Sequence, residues 1–315
     1  MAAPDKLVIV KRKTALEELV ERFNTRDQAR FFIEHVGGQF GDYQAAHDAY
    51  HRALTFLHKN IPPGVRSLSI DRSFLPTFTF GDNDVVVVLG QDGLVVNAAK
   101  YLKGQSVVAL NPDPDRIDGV LLPFSYLHAS EAIALALSGR EVCRNVTMAQ
   151  ATLNDGQSLL AVNDLFVGQK THTSAKYRIR LQDQEEDQSS SGIIISTGAG
   201  STGWYRSVVT GAAGIVEGLG AKGPIRTLRD QYRFDWEARR LVFCVREPFV
   251  SKTSGAEIVF GTIDQETLFR IASHMPQNGV IFSDGVEEDH LEFNSGAFAT
   301  IGLADQTLRL VVPGA

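Results

Sequence analysis

The order of apolar runs and glycine-rich turns predicts an α/β N-terminal domain with a parallel sheet, followed by a β-rich C-terminal domain. Two observations carry this reading. The run Val85-Val86-Val87-Val88-Leu89 ends in Gly90-Gln91-Asp92-Gly93, passes through a helical pattern and returns at once in Val107-Val108-Ala109-Leu110. Strand, helix and strand in so short a span imply a right-handed crossover in a parallel sheet, and uninterrupted valines suit a strand covered on both faces. After Pro123 one more helical stretch leads into a long region of alternating apolar and polar residues. The boundary is expected near 121–125, with an α/β domain over 1–122 and a β-rich domain over 123–289. The segment 290–315 is expected to be able to pack back on the first domain.

The elements follow in order. Leu7-Val8-Ile9-Val10 reads as a first strand. Thr14-Ala15-Leu16-Glu17 fits a capping box, in which the threonine and glutamate side chains satisfy orphan N–H groups, and Leu16, Leu19, Val20 and Phe23 recur at helical spacing. A longer amphipathic helix is expected over 42–60, then a strand near 68–70. Val95, Ala98, Ala99 and Leu102 mark the crossover helix, with Gly104 placed to stop it. A helix over 130–138 has Gly139 behind it. In the second domain Lys176-Tyr177-Arg178-Ile179-Arg180-Leu181 alternates as a strand, and the polar run 183–191 reads as a mobile hairpin tip. Gly192-Ile193-Ile194-Ile195-Ser196 is a buried strand running into Thr197-Gly198-Ala199-Gly200-Ser201-Thr202-Gly203.

Composition narrows the function. With 315 residues, 43% hydrophobic and 22% charged, the chain reads as an ordinary globular protein large enough for two domains. A net charge of -6 argues against a general nucleic-acid binder, which needs a basic surface. No apolar run reaches the roughly 20 residues that span a bilayer. No leader is read in Met1-Ala2-Ala3-Pro4-Asp5, so a cytoplasmic protein is expected. Cys143 and Cys244 sit beside apolar residues without metal-ligand spacing and read as free thiols.

A buried strand that ends in glycines lets backbone N–H groups approach a ligand, which suits phosphate. Two such turns suggest a nucleotide site assembled from both halves of the chain. Gly198-Ala199-Gly200-Ser201-Thr202-Gly203 satisfies the dinucleotide-binding pattern, and Glu217 follows at about the expected spacing of 20. The context is wrong, however: glycines and then charged residues follow, not a second apolar strand, so hydride transfer is discounted. There is no P-loop and no H-E-x-x-H motif. The 8 histidines are scattered and read as surface or packing residues, so no metal ligand is assigned.

Asp92, between Gly90 and Gly93, has two readings of equal weight. Its carboxylate could orient a sugar hydroxyl and accept the proton as phosphate is transferred, or it could cap the next helix. Asn163-Asp164, after an apolar stretch, could bind a base edge or ribose, though alone it reads as an ordinary turn. Lys176, Arg178 and Arg180 share one strand face, read as solvated, and Asp284-Gly285 reads as a hairpin turn.

Together these segments resemble the NAD kinase family, most closely its mitochondrial-type branch. Gly90-Gln91-Asp92-Gly93 is similar to the family's GGDG turn, and Asn111-Pro112-Asp113-Pro114-Asp115-Arg116 to the N-x-D-P-[DE]-R segment of that branch. Asn163-Asp164 stands where the family has Asn-Glu. Ser190-Ser191-Gly192 and 197–201 resemble its S-S-G and T-G-T-G-S stretch, and 245–248 and 292–296 complete the series. The resemblance implies ATP-dependent phosphorylation of the 2′-hydroxyl on the adenosine ribose of NAD, giving NADP, with Mg²⁺ neutralising charge on the transferring group. It also implies nucleotides held in an interdomain cleft, a homodimer, and neither a membrane nor a nucleic-acid partner.

Carried over by residue, Asp92 would be the base or orienting group, and Gly90 and Gly93 would admit the ATP phosphates. Asn163 and Asp164 would hold the NAD adenosine; Thr197, Gly198, Ala199, Gly200, Ser201 and Thr202 would line its pocket, and Asn111 joins the nucleotide-binding set. Three positions depart from the family pattern: Gln91 replaces a glycine, Leu94 a threonine, and Asp164 is one methylene shorter than glutamate. The alternatives are a weak or inactive dinucleotide-binding member of the family, and a lipid kinase sharing the GGDG-type turn.

Overall fold

The computed structural model describes residues 6–220 and 232–314, which divide into two compact units, Met1–Arg144 with Arg309–Ala315, and Asn145–Leu308. The start of the chain and the charged residues that follow Gly220 lie outside the described residues.

The first unit opens with β1 (Leu7–Lys11), α1 (Ala15–Phe23), α2 (Arg26–His35) and α3 (Phe40–Lys59). The capping box at Thr14 and Glu17 forms with both of its hydrogen bonds. Leu16, Ile33 and Phe40 bury the contact among the three helices. Then come β2 (Ser67–Asp71), β3 (Val85–Leu89), α4 (Asp92–Ala99), β4 (Ser106–Asn111), β5 (Phe124–Ser125) and α5 (Ala129–Leu137). The strands form a parallel sheet in the order β2-β1-β3-β4, as the crossover pattern predicts. Along β4, β5 pairs with its end, while Arg309 and Leu310 run parallel to its start.

Every residue of β3 and β4 is buried, which explains the run of valines. Tyr50, Ala53 and Leu57 of α3 and Ala129, Ala132 and Ile133 of α5 pack on the sheet face carrying Ile9, Val87, Leu89 and Leu110. Each of the larger side chains stabilises the fold by about 1.5–3 kcal/mol relative to exposure. The first unit therefore runs beyond the composition change at 121–125, because the apolar stripe of α5 belongs to this core.

The second unit contains most of β6 (Val142–Leu153), then β7 (Ser158–Ala161), β8 (Asp164–Gln169), β9 (Ala175–Leu181), β10 (Gln184–Ser190), β11 (Ile193–Ser196), α6 (Trp204–Gly218), β12 (Leu241–Val245), β13 (Phe260–Ile263), β14 (Phe269–Ser273), β15 (Gly279–Ser283), β16 (Val286–Glu292) and most of β17 (Phe298–Val312). One antiparallel sheet runs β13-β12-β11-β8-β15-β16. Its inner face, including Leu165, Val167, Ile195 and Phe243, packs against Tyr177, Ile179, Phe269 and Ile271 of the layer containing β9 and β14. The outer face, at Phe166, Ile194 and Val242, is covered by Tyr205 and neighbouring residues of α6.

Within the polar run at 183–191, Gln184–Ser190 form a strand rather than a mobile tip, paired along its length with β9. Buried Gln188 and Ser190 both bond the Tyr177 hydroxyl, and Arg178 grips Asp187 through two bonds of 2.9 and 2.7 Å. Polar residues thus form this strand because their partners stand opposite. Both cysteines are free.

Candidate functional site

In the first unit, β3 delivers the chain into the turn 90–93 and α4 leaves from it. Gly90 is buried, and a Cβ there would lie 2.9 Å from Leu94 Cδ2. Gly90 and Leu94 are therefore complementary: the leucine fills the space that the glycine leaves. Gln91 is extended (φ -104°, ψ 168°) and exposed, and its Oε1 accepts from Arg12 Nη1 at 3.3 Å. A side chain is accommodated there because the backbone does not need the left-handed region. Gly93 is exposed, with no atom within 4 Å of where a Cβ would stand. Its backbone lies open in the first turn of α4, where free N–H groups and the helix dipole favour an anion.

Asp92 is the first residue of α4, following the N-cap Gln91. Its Oδ1 accepts the Leu121 N–H at 2.6 Å. Its Oδ2 has no hydrogen-bond partner among the described residues, so one oxygen is fixed and the other is available. The capping reading is corrected in detail: the carboxylate holds the 117–121 loop rather than capping its own helix.

Asn111, at the buried end of β4, spends its side chain on the following loop. Its Oδ1 accepts from Asp113 N at 2.9 Å and its Nδ2 donates to the Ile117 carbonyl at 2.8 Å. It shapes the wall of a cavity of about 220 Å³ beside the turn, lined by Arg12, Thr14, Tyr50, Gln91, Asp113 and Arg116 among others. Arg116 is paired with Asp113 at 2.7 Å. Arg12 and Tyr50 carry no motif, and sequence reasoning missed them. The Tyr50 hydroxyl ties Arg12 N to the Leu89 carbonyl, directly before the turn.

In the second unit, Asn163 and Asp164 open β8. Asp284, in the left-handed region (φ 55°), points its carboxylate at their backbone and accepts from Val162 N, Asn163 N and Asp164 N at 3.2, 2.7 and 3.3 Å. The hairpin reading of Asp284-Gly285 is thus incomplete, because this carboxylate is the clamp that fixes the Asn-Asp pair. Asp164 itself is buried, and its carboxylate has no hydrogen-bond partner among the described residues. Burial, and secondly the Asp284 charge, push its carboxyl up to about 7. A carboxyl raised this far can accept or donate a hydrogen bond near neutral pH, according to its protonation.

The turn 197–203 behaves differently from the first. Thr197 is fully buried; its hydroxyl donates to the Val162 carbonyl and accepts from Gly200 N at 3.1 Å. The Ser201 hydroxyl donates to the Gly198 carbonyl at 2.7 Å. A Cβ on Gly198 would lie 2.1 Å from the Asp235 carbonyl oxygen, and one on Gly200 2.0 Å from that of Asn163. These glycines admit other protein backbone, not a ligand. Ala199 is buried, while Thr202 is half-buried. The turn therefore supports Asn163: Thr197 N also donates to the Asn163 carbonyl at 2.9 Å.

A larger cavity of about 360 Å³ lies towards the far end of β8 in the same unit. Its wall includes Phe166, Phe282 and Trp204, stacked with interplanar angles of 15–30°, and the Arg246 guanidinium lies 5.3 Å over Trp204. None of the sequence-predicted site residues lines it.

No family model matches the chain. Over 127 residues, 39% of this chain, it is 31% identical to the NAD kinase of Chlorobaculum tepidum and 30% identical to that of Mesorhizobium japonicum. The matched stretch spans 44% and 48% of those proteins, so the chain covers about half the length of the curated relatives. Among solved structures it is similar to yeast NADH kinase complexed with NADH, with a TM-score of 0.57 and 14% identity over 99% of this chain and 84% of that one. It is also similar to an NAD kinase from Archaeoglobus fulgidus in complex with ATP, with a TM-score of 0.55 and 14% identity over 97% and 92%. By sequence over part of its length, and by fold over nearly all of it, the chain is similar to NAD kinases.

Proposed function

We propose that the protein is an NAD kinase that transfers the terminal phosphoryl group of ATP to the 2′-hydroxyl of the adenosine ribose of NAD, giving NADP. The observation that carries this reading is the state of Asp92: one carboxylate oxygen anchored by Leu121 N–H, the other without a partner, beside an open helix start. In this reading Oδ2 orients the acceptor hydroxyl and takes its proton as the new O–P bond forms and the bond to ADP breaks. The N–H groups around Gly93 receive the donor phosphates. Asp164 and Asn163 hold the adenosine, with Asp164 accepting from a ribose hydroxyl or donating to the base according to its protonation.

Thr197, Gly198, Ala199, Gly200 and Ser201 act by supporting Asn163, and Thr202 offers the one half-exposed hydroxyl of the turn. Asn111 acts on the loop rather than on the nucleotide. Mg²⁺ keeps several waters and is otherwise held by substrate phosphates, so in this reading the ion would arrive with the donor phosphates and leave Asp92 Oδ2 to the acceptor hydroxyl. When bound, the ion would neutralise charge on the transferring group.

The 111–116 segment supports the mitochondrial-type branch. The same reading carries a homodimer, to be checked by light scattering on the purified chain, and a cytoplasmic setting; no described helix is long and apolar enough to cross a membrane. The test is NADP formation from NAD, ATP and Mg²⁺. We expect turnover that Asp92→Asn lowers by about 10²–10⁴-fold with an unchanged melting temperature. Phosphorylation of diacylglycerol with NAD untouched would replace this reading with a lipid kinase. Thermal stabilisation by NAD without product would replace it with a dinucleotide-binding relative.

A further inference from the structure

Helix α3 carries two histidines four residues apart, His47 and His51, on the face turned to α1. Their rings are neighbours, with centroids 4.3 Å apart. Opposite them stands Glu17 of the capping box. Its Oε2 accepts the Thr14 N–H at 2.7 Å, and its Oε1 lies 3.0 Å from His51 Nε2. His47 Nδ1 lies 2.9 Å from Thr14 Oγ1. One donor atom each from Glu17, His47 and His51 falls within 4.8 Å of the other two, and all three residues are half-buried. The geometry points to a binding site for a divalent transition metal, with Glu17, His47 and His51 as its ligands.

The chemistry of the set supports this. Two imidazoles at i and i+4 on one helix face, with a carboxylate, are a recurring ligand group for zinc and its neighbours. Metal–nitrogen and metal–oxygen bonds of about 2.0–2.2 Å put ligand atoms about 3–4 Å apart, a spacing that Glu17 Oε1 and His51 Nε2 already meet at 3.0 Å. The outer shell is already formed: Thr14 N–H orients the carboxylate, and the Thr14 hydroxyl lies at the other histidine. Three protein ligands leave a fourth position open. A bound ion would clip α1 to α3 beside the helix residue Tyr50, whose hydroxyl reaches the carbonyl preceding the glycine turn.

The test uses the full chain freed of metal with a chelator and titrated with Zn²⁺, followed by calorimetry and thermal melting. We expect about one ion per chain and a raised melting temperature. His47→Ala and His51→Ala should each weaken binding by more than about 100-fold, since losing an outer-shell partner alone costs 10–100-fold. Glu17→Gln keeps the acceptors of the capping box while removing the charge, and it should weaken binding without unfolding α1. His58→Ala, on the same helix but exposed, should change nothing. Absence of stoichiometric binding to the native chain, or equal binding by the double variant His47→Ala/His51→Ala, would overturn the assignment.

Discussion

The two glycine-rich turns look alike in sequence and do opposite things in the structure. Each follows a buried strand and precedes a helix, yet the turn at 90–93 opens outward at Gly93 while the turn at 197–203 closes on its own protein. Gly93 has empty space where a Cβ would stand, whereas Gly198 and Gly200 have carbonyl oxygens there. A glycine pattern states that something comes close to the backbone. Only the fold tells whether that neighbour is a phosphate or another strand.

The largest expected effect lies at the closed turn. Gly200→Ala would drive a methyl group into the Asn163 carbonyl, and we expect it to cost at least about 3 kcal/mol or to abolish folding of the second unit, read by denaturant unfolding. A stable Gly200→Ala protein would break the contrast.

Next comes the clamp. Asp284→Asn removes the negative charge from an acceptor of three backbone N–H groups, and we expect a loss of about 1.5–3 kcal/mol. The same change should lower the Asp164 pKa, because one of the two causes of its elevation is gone.

That elevation gives a pH dependence of defined sign. With its folded carboxyl at about 7 against an ordinary value of 3.8, Asp164 keeps a proton in the native state that the unfolded chain has released. Its contribution to stability is therefore full below pH 3.8, falls as pH rises, and is lost once pH passes about 7. Asp164→Asn should flatten this slope in chemical unfolding measured across the window; an unchanged slope would place the titration elsewhere.

The smallest effect on stability, and the sharpest for the comparison, belongs to the open turn. Gly93→Ala meets no neighbour and replaces a glycine within a helix, so it should stabilise the fold by about 0.5–1 kcal/mol. The added methyl would nonetheless reduce phosphate access, and activity should fall. Stability and activity then move in opposite directions at Gly93, a separation that Gly200 cannot show.

Much of the first unit was legible in the sequence. The valines of β3, the capping box at Thr14 and the short crossover to β4 follow local rules, and the structure repeats them. Asp92 was also legible as a candidate, because its glycine neighbours and its place between strand and helix are local facts. Asp284 was not. Its partners lie about 120 residues earlier in the chain, and Asp-Gly has the same local form whether or not its carboxylate grips another strand. The strand β10 escaped for the same reason, since the Tyr177 hydroxyl and the Arg178 guanidinium that pair with its polar residues are supplied by the neighbouring strand. The His47–His51 spacing stood in plain view, but Glu17 joins it only when α1 packs on α3.

The most direct measurement compares NADP formation by the native chain and by Asp92→Asn under identical NAD, ATP and Mg²⁺, with melting curves of both. The account predicts product from the native chain, its loss in the variant, and coincident melting. Equal turnover by the two proteins, or none from a native chain that melts normally, would contradict it.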